Sequence, residues 1–123
     1  LLLLVGGKKG DVTVVDIRQR RELARFQAHQ LAIKDIAIDP TEDFFSTASS
    51  DGDVKVFRLN RDDFSRVEWM RGYHEKQRFY FGGGSAVRTY GARKVHFADG
   101  FLYSCGADGR LLRTPYAQPD GGL

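Results

Sequence analysis

The sequence predicts an all-β fold of short antiparallel strands, and three observations carry that expectation. Asp51-Gly52 separates two strand-like runs, "FFSTASS" and "DVKVFRLN", which is the strongest short-range signal of a hairpin. Gly10 and Gly109 sit at the same place in two further pairs of runs. The periodic segments are filled with β-branched residues, and the 14 glycines disfavour helix. Only "RRELARFQAHQL" leaves room for a competing helix.

Taken in order, "LLLVGGKKGDVTVVDIR" (2–18) supplies a strand, a turn at Gly10 and a second strand through Val12, Thr13, Val14 and Val15. "RELARFQAH" (21–29) is a strand-like run ending at His29. "AIKDIAIDPTED" (32–43) places Ile33, Ile36 and Ile38 before a stop at Asp39-Pro40, because proline has no amide to donate to a ladder. In the second hairpin Val54 and Val56 point one way while Lys55, Phe57 and Leu59 point the other. "SRVEWMRGYH" again ends in His, at position 74. The run from "AVRTYG" to "KVHF" is expected to supply one further strand, with "FGGGSA" (81–86) in a loop before it. "FLYSCGADGRLLRTPY" (101–116) closes with a third hairpin.

The unit is therefore a strand ending at His, a strand ending at a turn, and a hairpin closed by Gly. The turn glycines are 42 and 57 residues apart, and the shorter spacing falls within the roughly 40–45 residues of a four-stranded propeller blade. The expected fold is a β-propeller fragment of about two and a half to three blades. Its approximate units are 1–26, 27–66 and 67–117, with 118–123 as a tail. The chain opens in mid-strand on Leu1, and the reading is the C-terminal part of a ring whose other blades lie upstream.

Composition narrows the function classes. With 41% hydrophobic and 28% charged residues the chain has the profile of a soluble globular protein. Its net charge of +3 allows an acidic partner without demanding nucleic acid. A single cysteine, Cys105, permits no internal disulfide and fits a reducing compartment. No apolar run approaches the roughly 18 residues of a spanning helix, and "LLLLV" is too short for a signal-peptide core.

His29, Thr47 and Asp51 are the residue types of a hydrolase triad, and so are His74, Ser104 and Asp108. The two sets begin 45 residues apart. Repetition favours a structural role, because a catalytic triad occurs once per site. "GGKKGD" and "FGGGSA" lack the spacing of a phosphate-binding loop and read as turns. One Cys and three His without paired spacing make no zinc site, and no cofactor is expected. Lys8, Lys9, Arg18, Arg20 and Arg21 form a candidate contact for an acidic partner, weighed against a solvated strand edge. "RFYF" and Trp69 read as packing rather than base-stacking residues.

Residues 27–59, "QAHQLAIKDIAIDPTEDFFSTASSDGDVKVFRL", resemble the WD-repeat pattern almost end to end. The resemblance implies a hydrogen-bond chain through His29, Thr47 and Asp51, with Gly52 in the turn and Phe57 where the pattern has Trp. Phe57 has no N–H, so the last link is expected to be missing. In the next unit the resemblance maps the same positions onto His74, Ser104, Asp108 and Gly109, with Thr114 at the Trp position. The first unit has Val5, Lys9 and Val15 there and can form no network.

A more specific resemblance covers most of the chain. "GGKKGDVTVVDIRQRRELARFQAHQLAIKDIAIDP", the "FRL" after the second hairpin and "LYSCGADGRLLRT" look like the C-terminal propeller of the Dmx-like, or rabconnectin-3, family. That resemblance implies a non-enzymatic intracellular scaffold, cytoplasmic and held on vesicle or endolysosomal membranes through its partners. Those partners would be vacuolar proton ATPase subunits and other scaffold subunits, and the role would be ATPase assembly and organelle acidification, with no nucleic acid involved. The alternative expectation is a WD-repeat subunit of an RNA- or ribosome-associated complex that uses the basic residues.

Overall fold

The computed structural model describes residues 2–81 and 86–116. Among them there are twelve strands and no helix. β1 (Leu2–Gly6), β2 (Asp11–Asp16) and β3 (Arg21–Gln27) form an antiparallel sheet in that order. The segment that could have been helical is thus a strand. Val12 opposite Phe26 puts both side chains into one core, which an isolated helix of that length could not offer.

β4 (Ile33–Ile38), β5 (Phe44–Ser49), β6 (Asp53–Leu59) and β7 (Arg66–Tyr73) form a four-stranded sheet in sequence order. β8 (Gln77–Phe81) and β9 (Ala86–Tyr90) make a separate two-stranded hairpin. β10 (Ala92–Ala98), β11 (Phe101–Gly106) and β12 (Leu111–Pro115) complete a third sheet.

The four-stranded sheet is buried on both faces, so it is the middle layer. Phe45 and Phe57, directly opposite in the ladder, pack with Ile36 and Leu59 against Val12, Phe26 and Ala28 of the first sheet. Ala48, Val54 and Val56 point the other way, against Ala92, Val95, Phe97 and Leu102 of the third. Period-2 alternation alone sorts these residues into two cores. Each fully buried Val contributes about 1.5–3 kcal/mol of transfer free energy.

Two features depart from the linear reading. The strand that runs into each His pairs backwards: β3 closes the first sheet and β7 the second. All of β3 but Gln27 lies within the expected unit 1–26, whereas all of β7 but Arg66 lies beyond the unit 27–66 and still joins the second sheet, because the outer edge of β6 takes the next segment of chain as its ladder partner. The expected single strand from "AVRTYG" to "KVHF" is two strands. Residues 86–90 pair with 77–81, and β10 starts anew after Gly91. Gly91 passes so close to the middle sheet that a Cβ would lie 2.7 Å from the Gly52 Cα, and its carbonyl accepts from the Ala107 amide. The central glycines of "FGGGSA" lie outside the described residues.

Candidate functional site

His29 follows β3 directly, and the Gly10 carbonyl accepts from both the Ala28 and His29 amides. This fixes the ring against the neighbouring sheet. Its Nδ1 lies 3.1 Å from the Asp51 carboxylate and its Nε2 lies 2.6 Å from the Thr47 hydroxyl. In the neutral ring the carboxylate holds the proton on Nδ1, so Nε2 accepts from Thr47. Asp51 also accepts the Gln30 and Asp53 amides. Burial alone would raise the Asp51 carboxyl, but the His29 bond and these two amides hold it down at about 2. Gly52 continues the turn at φ 95°, a region open to glycine without strain.

The arrangement recurs one sheet on. The His74 amide donates to the Gly52 carbonyl. The His74 ring meets Asp108 at 3.0 Å through Nδ1 and Ser104 at 2.9 Å through Nε2. Asp108 takes the Glu75 and Arg110 amides, and against its desolvation these bonds and His74 lower its carboxyl below the usual range. Gly109 turns at φ 74°. Each set therefore ties the end of one sheet's outer strand to an inner ladder strand and hairpin turn of the next.

Chemically these sets are closed. Thr47 is wholly buried and Ser104 nearly so, which leaves no approach for a substrate carbonyl to either hydroxyl. His29, Asp51 and Asp53 gather closely enough to suggest a cation. However, His29 Nδ1 and the Asp51 oxygens already satisfy one another and two amides, so the cluster needs no ion to balance its hydrogen bonds. Cys105 lies half-buried in β11.

Phe57 makes no polar link and packs instead. It stacks on Phe45 at 5.1 Å between centroids and meets Phe26 edge-on at 5.4 Å. Thr114 pairs opposite Leu102 in the third sheet.

Lys8 and Lys9 lie in the β1–β2 turn, whereas Arg18 and Arg20 lie in the β2–β3 turn and Arg21 opens β3. These turns are at opposite ends of β2, separated by its six residues, about 20 Å of extended chain. The five residues offered as one candidate contact thus divide between the two ends of β2.

The structure adds two features the linear reading missed. Tyr116 donates its hydroxyl to buried Asp39 at 3.1 Å, and the Trp69 indole N–H donates to the Tyr116 carbonyl. Burial and the Asp39 charge push the Tyr116 phenol up to about 12. Asp39 and Tyr116 are 77 residues apart, and no periodicity signals the pair. The second feature is a cationic notch of about 60 Å³ lined by Lys34, Ser50, Tyr90, Gly91, Ala92 and Arg93. A composition signal for it was present: residues 76–94 hold five Lys or Arg and no Asp or Glu.

Comparison with known proteins agrees with this geometry. Residues 20–58 match the family model described as WD domain, G-beta repeat. DmX-like protein 1 from Mus musculus is 36% identical over 110 residues, 89% of this chain, and the chain spans about 4% of that relative's length. Among solved structures, the Cps50 (Swd1) β-propeller domain of Myceliophteria thermophila superposes with a TM-score of 0.59 at 15% identity, covering 91% of this chain and 36% of that one. A chain of the humanized Chaetomium thermophilum Polycomb Repressive Complex 2 gives 0.68 at 22% identity, covering 93% and 23%. At such identities the superpositions show the fold, a partial propeller.

Proposed function

We propose that this chain, a WD-repeat β-propeller segment similar to DmX-like protein 1, is a non-catalytic docking platform for other proteins. The observation that carries this reading is the repeated, closed His-hydroxyl-Asp set. It spends its polar groups on locking adjacent sheets together rather than on presenting a nucleophile. A rigid stack of sheets holds its turns at fixed positions, which suits a recognition surface.

The finer reading is a role in assembling the vacuolar proton ATPase and acidifying vesicles or endolysosomes, on whose cytoplasmic surface the protein would sit through its partners. Its support is the similarity to DmX-like protein 1 and what the family resemblance implies. Affinity purification of the full-length protein should recover ATPase subunits, and its depletion should raise lumenal pH. Recovery of no ATPase subunit together with an unchanged lumenal pH would overturn this reading.

A further inference from the structure

The β8–β9 hairpin and the strand that follows it carry the molecule's charge asymmetry. Residues 76–94 contain five of the 19 basic residues and none of the 16 acidic ones. The remaining residues hold 14 basic against 16 acidic groups, so the net positive charge of the chain resides in this one segment. The segment enters between β7 and β10, on the same end of the molecule as the Asp51 and Asp108 turns, as the Ala107–Gly91 bond and the Gly91–Gly52 approach require.

Its base is shaped. Lys34, at the start of β4, and Arg93, at the start of β10, flank the small notch floored by Tyr90, Gly91 and Ala92. The Arg93 guanidinium stands 5.7 Å from the centre of the Tyr90 ring, a cation–π placement that restrains it at the rim. Arg88 is exposed on the hairpin face that Tyr90 shares, two residues before it in β9. Asp35 is the adjacent carboxylate, and its oxygens accept the Ile36 and Val95 amides.

We propose that this notch is the docking site for an acidic segment of a partner protein, with one Asp or Glu carboxylate seated between Lys34 and Arg93. The inference rests on the docking reading above and names its surface and chemistry. Two positive groups beside a cavity this small suit a single carboxylate. Single-stranded RNA needs open aromatic platforms, and the Arg93 guanidinium already stands over Tyr90. An anionic bilayer needs a broad basic face, and here the notch presents two cations, Lys34 and Arg93.

The test is fluorescence anisotropy of the full-length protein with a fluorescein-labelled poly-Glu peptide. Poly-Gln, single-stranded RNA and phosphatidylserine vesicles serve as comparisons. Poly-Glu should bind and poly-Gln should not, with affinity falling as salt rises. Lys34→Glu with Arg93→Glu should weaken binding at least about tenfold, while Lys8→Glu with Lys9→Glu should leave it unchanged. If the reversal variant fails to fold, Lys34→Gln with Arg93→Gln decides in the same direction. Absent poly-Glu binding, equal loss in the Lys8 and Lys9 variant, or tighter binding of RNA or vesicles through Lys34 and Arg93 overturns the proposal. Affinity purification separates the two readings. Partner proteins recovered equally by wild type and the Lys34 and Arg93 variant overturn the notch alone, whereas no partner with either protein overturns the docking reading as well.

Discussion

At the scale of single residues, Thr47 and Phe57 divide the labour that one Trp-containing network would combine. Thr47→Val removes one buried bond to His29 and should cost about 1–3 kcal/mol. Phe57→Ala opens a cavity against Phe26 and Phe45 and should cost about 3–5 kcal/mol. Denaturant melts of the complete propeller check the order, and a larger loss from Thr47→Val would show that the polar network dominates. Ser46 lies on the opposite face, fully buried, with no hydrogen-bond partner for its hydroxyl among the described residues. Ser46→Ala should therefore raise stability by about 1 kcal/mol, measurable as a shifted midpoint at constant slope. Asp51 sets an acid limit. Its folded carboxyl titrates at about 2 against an ordinary value of 3.8, so the stabilisation is complete above the higher value and lost as pH falls through the lower. Thermal melts across that window should fall less steeply for Asp51→Asn than for wild type.

At the scale of elements, the three hairpins turning at Gly10, Gly52 and Gly109 were legible from spacing, because alternation and turn glycines are local properties, whereas the β8–β9 pairing was not. The pairing of β7 with the preceding sheet was less legible. Alternation says which face a residue takes, and it is silent about which edge a strand joins. Gly91 shows the same divide. In sequence it is one glycine among 14, whereas in space it marks the point where the chain crosses beside Gly52. Gly91→Ala should cost about 1–3 kcal/mol through a backbone clash that no rotamer relieves. Gly72→Ala, whose Cβ would meet only Val54 at 3.9 Å, should be neutral or slightly stabilising. Equal losses at both positions would remove the close-approach argument.

At the scale of the whole molecule, the three larger sheets stack face to face, and both the outer ones and the edge strand β7 of the middle one leave apolar surface open. Leu3 and Val5 on β1 are 48% and 43% exposed, Val67 on β7 62%, and Leu111 on β12 71%. Strand edges with such residues recruit further strands. These 123 residues expressed alone should therefore oligomerise or melt without a sharp transition; a cooperative melt of soluble monomer would contradict this. The sequence by itself determined the all-β class, the three glycine-turn hairpins and the two faces of β6, and its repeat pointed to both His-hydroxyl-Asp sets. The first three follow from short-range patterns that chain sterics and burial impose, and the sets from the repeat and the resemblance it carries. Only the tertiary structure decided which sheet each His locks, that Tyr116 reaches Asp39, that the N-terminal basic residues part to opposite ends of β2, and that Lys34 and Arg93 line one notch. The physical reason is that such pairings depend on how twisted sheets stack, and that packing brings together residues whose separation along the chain carries no periodic signal.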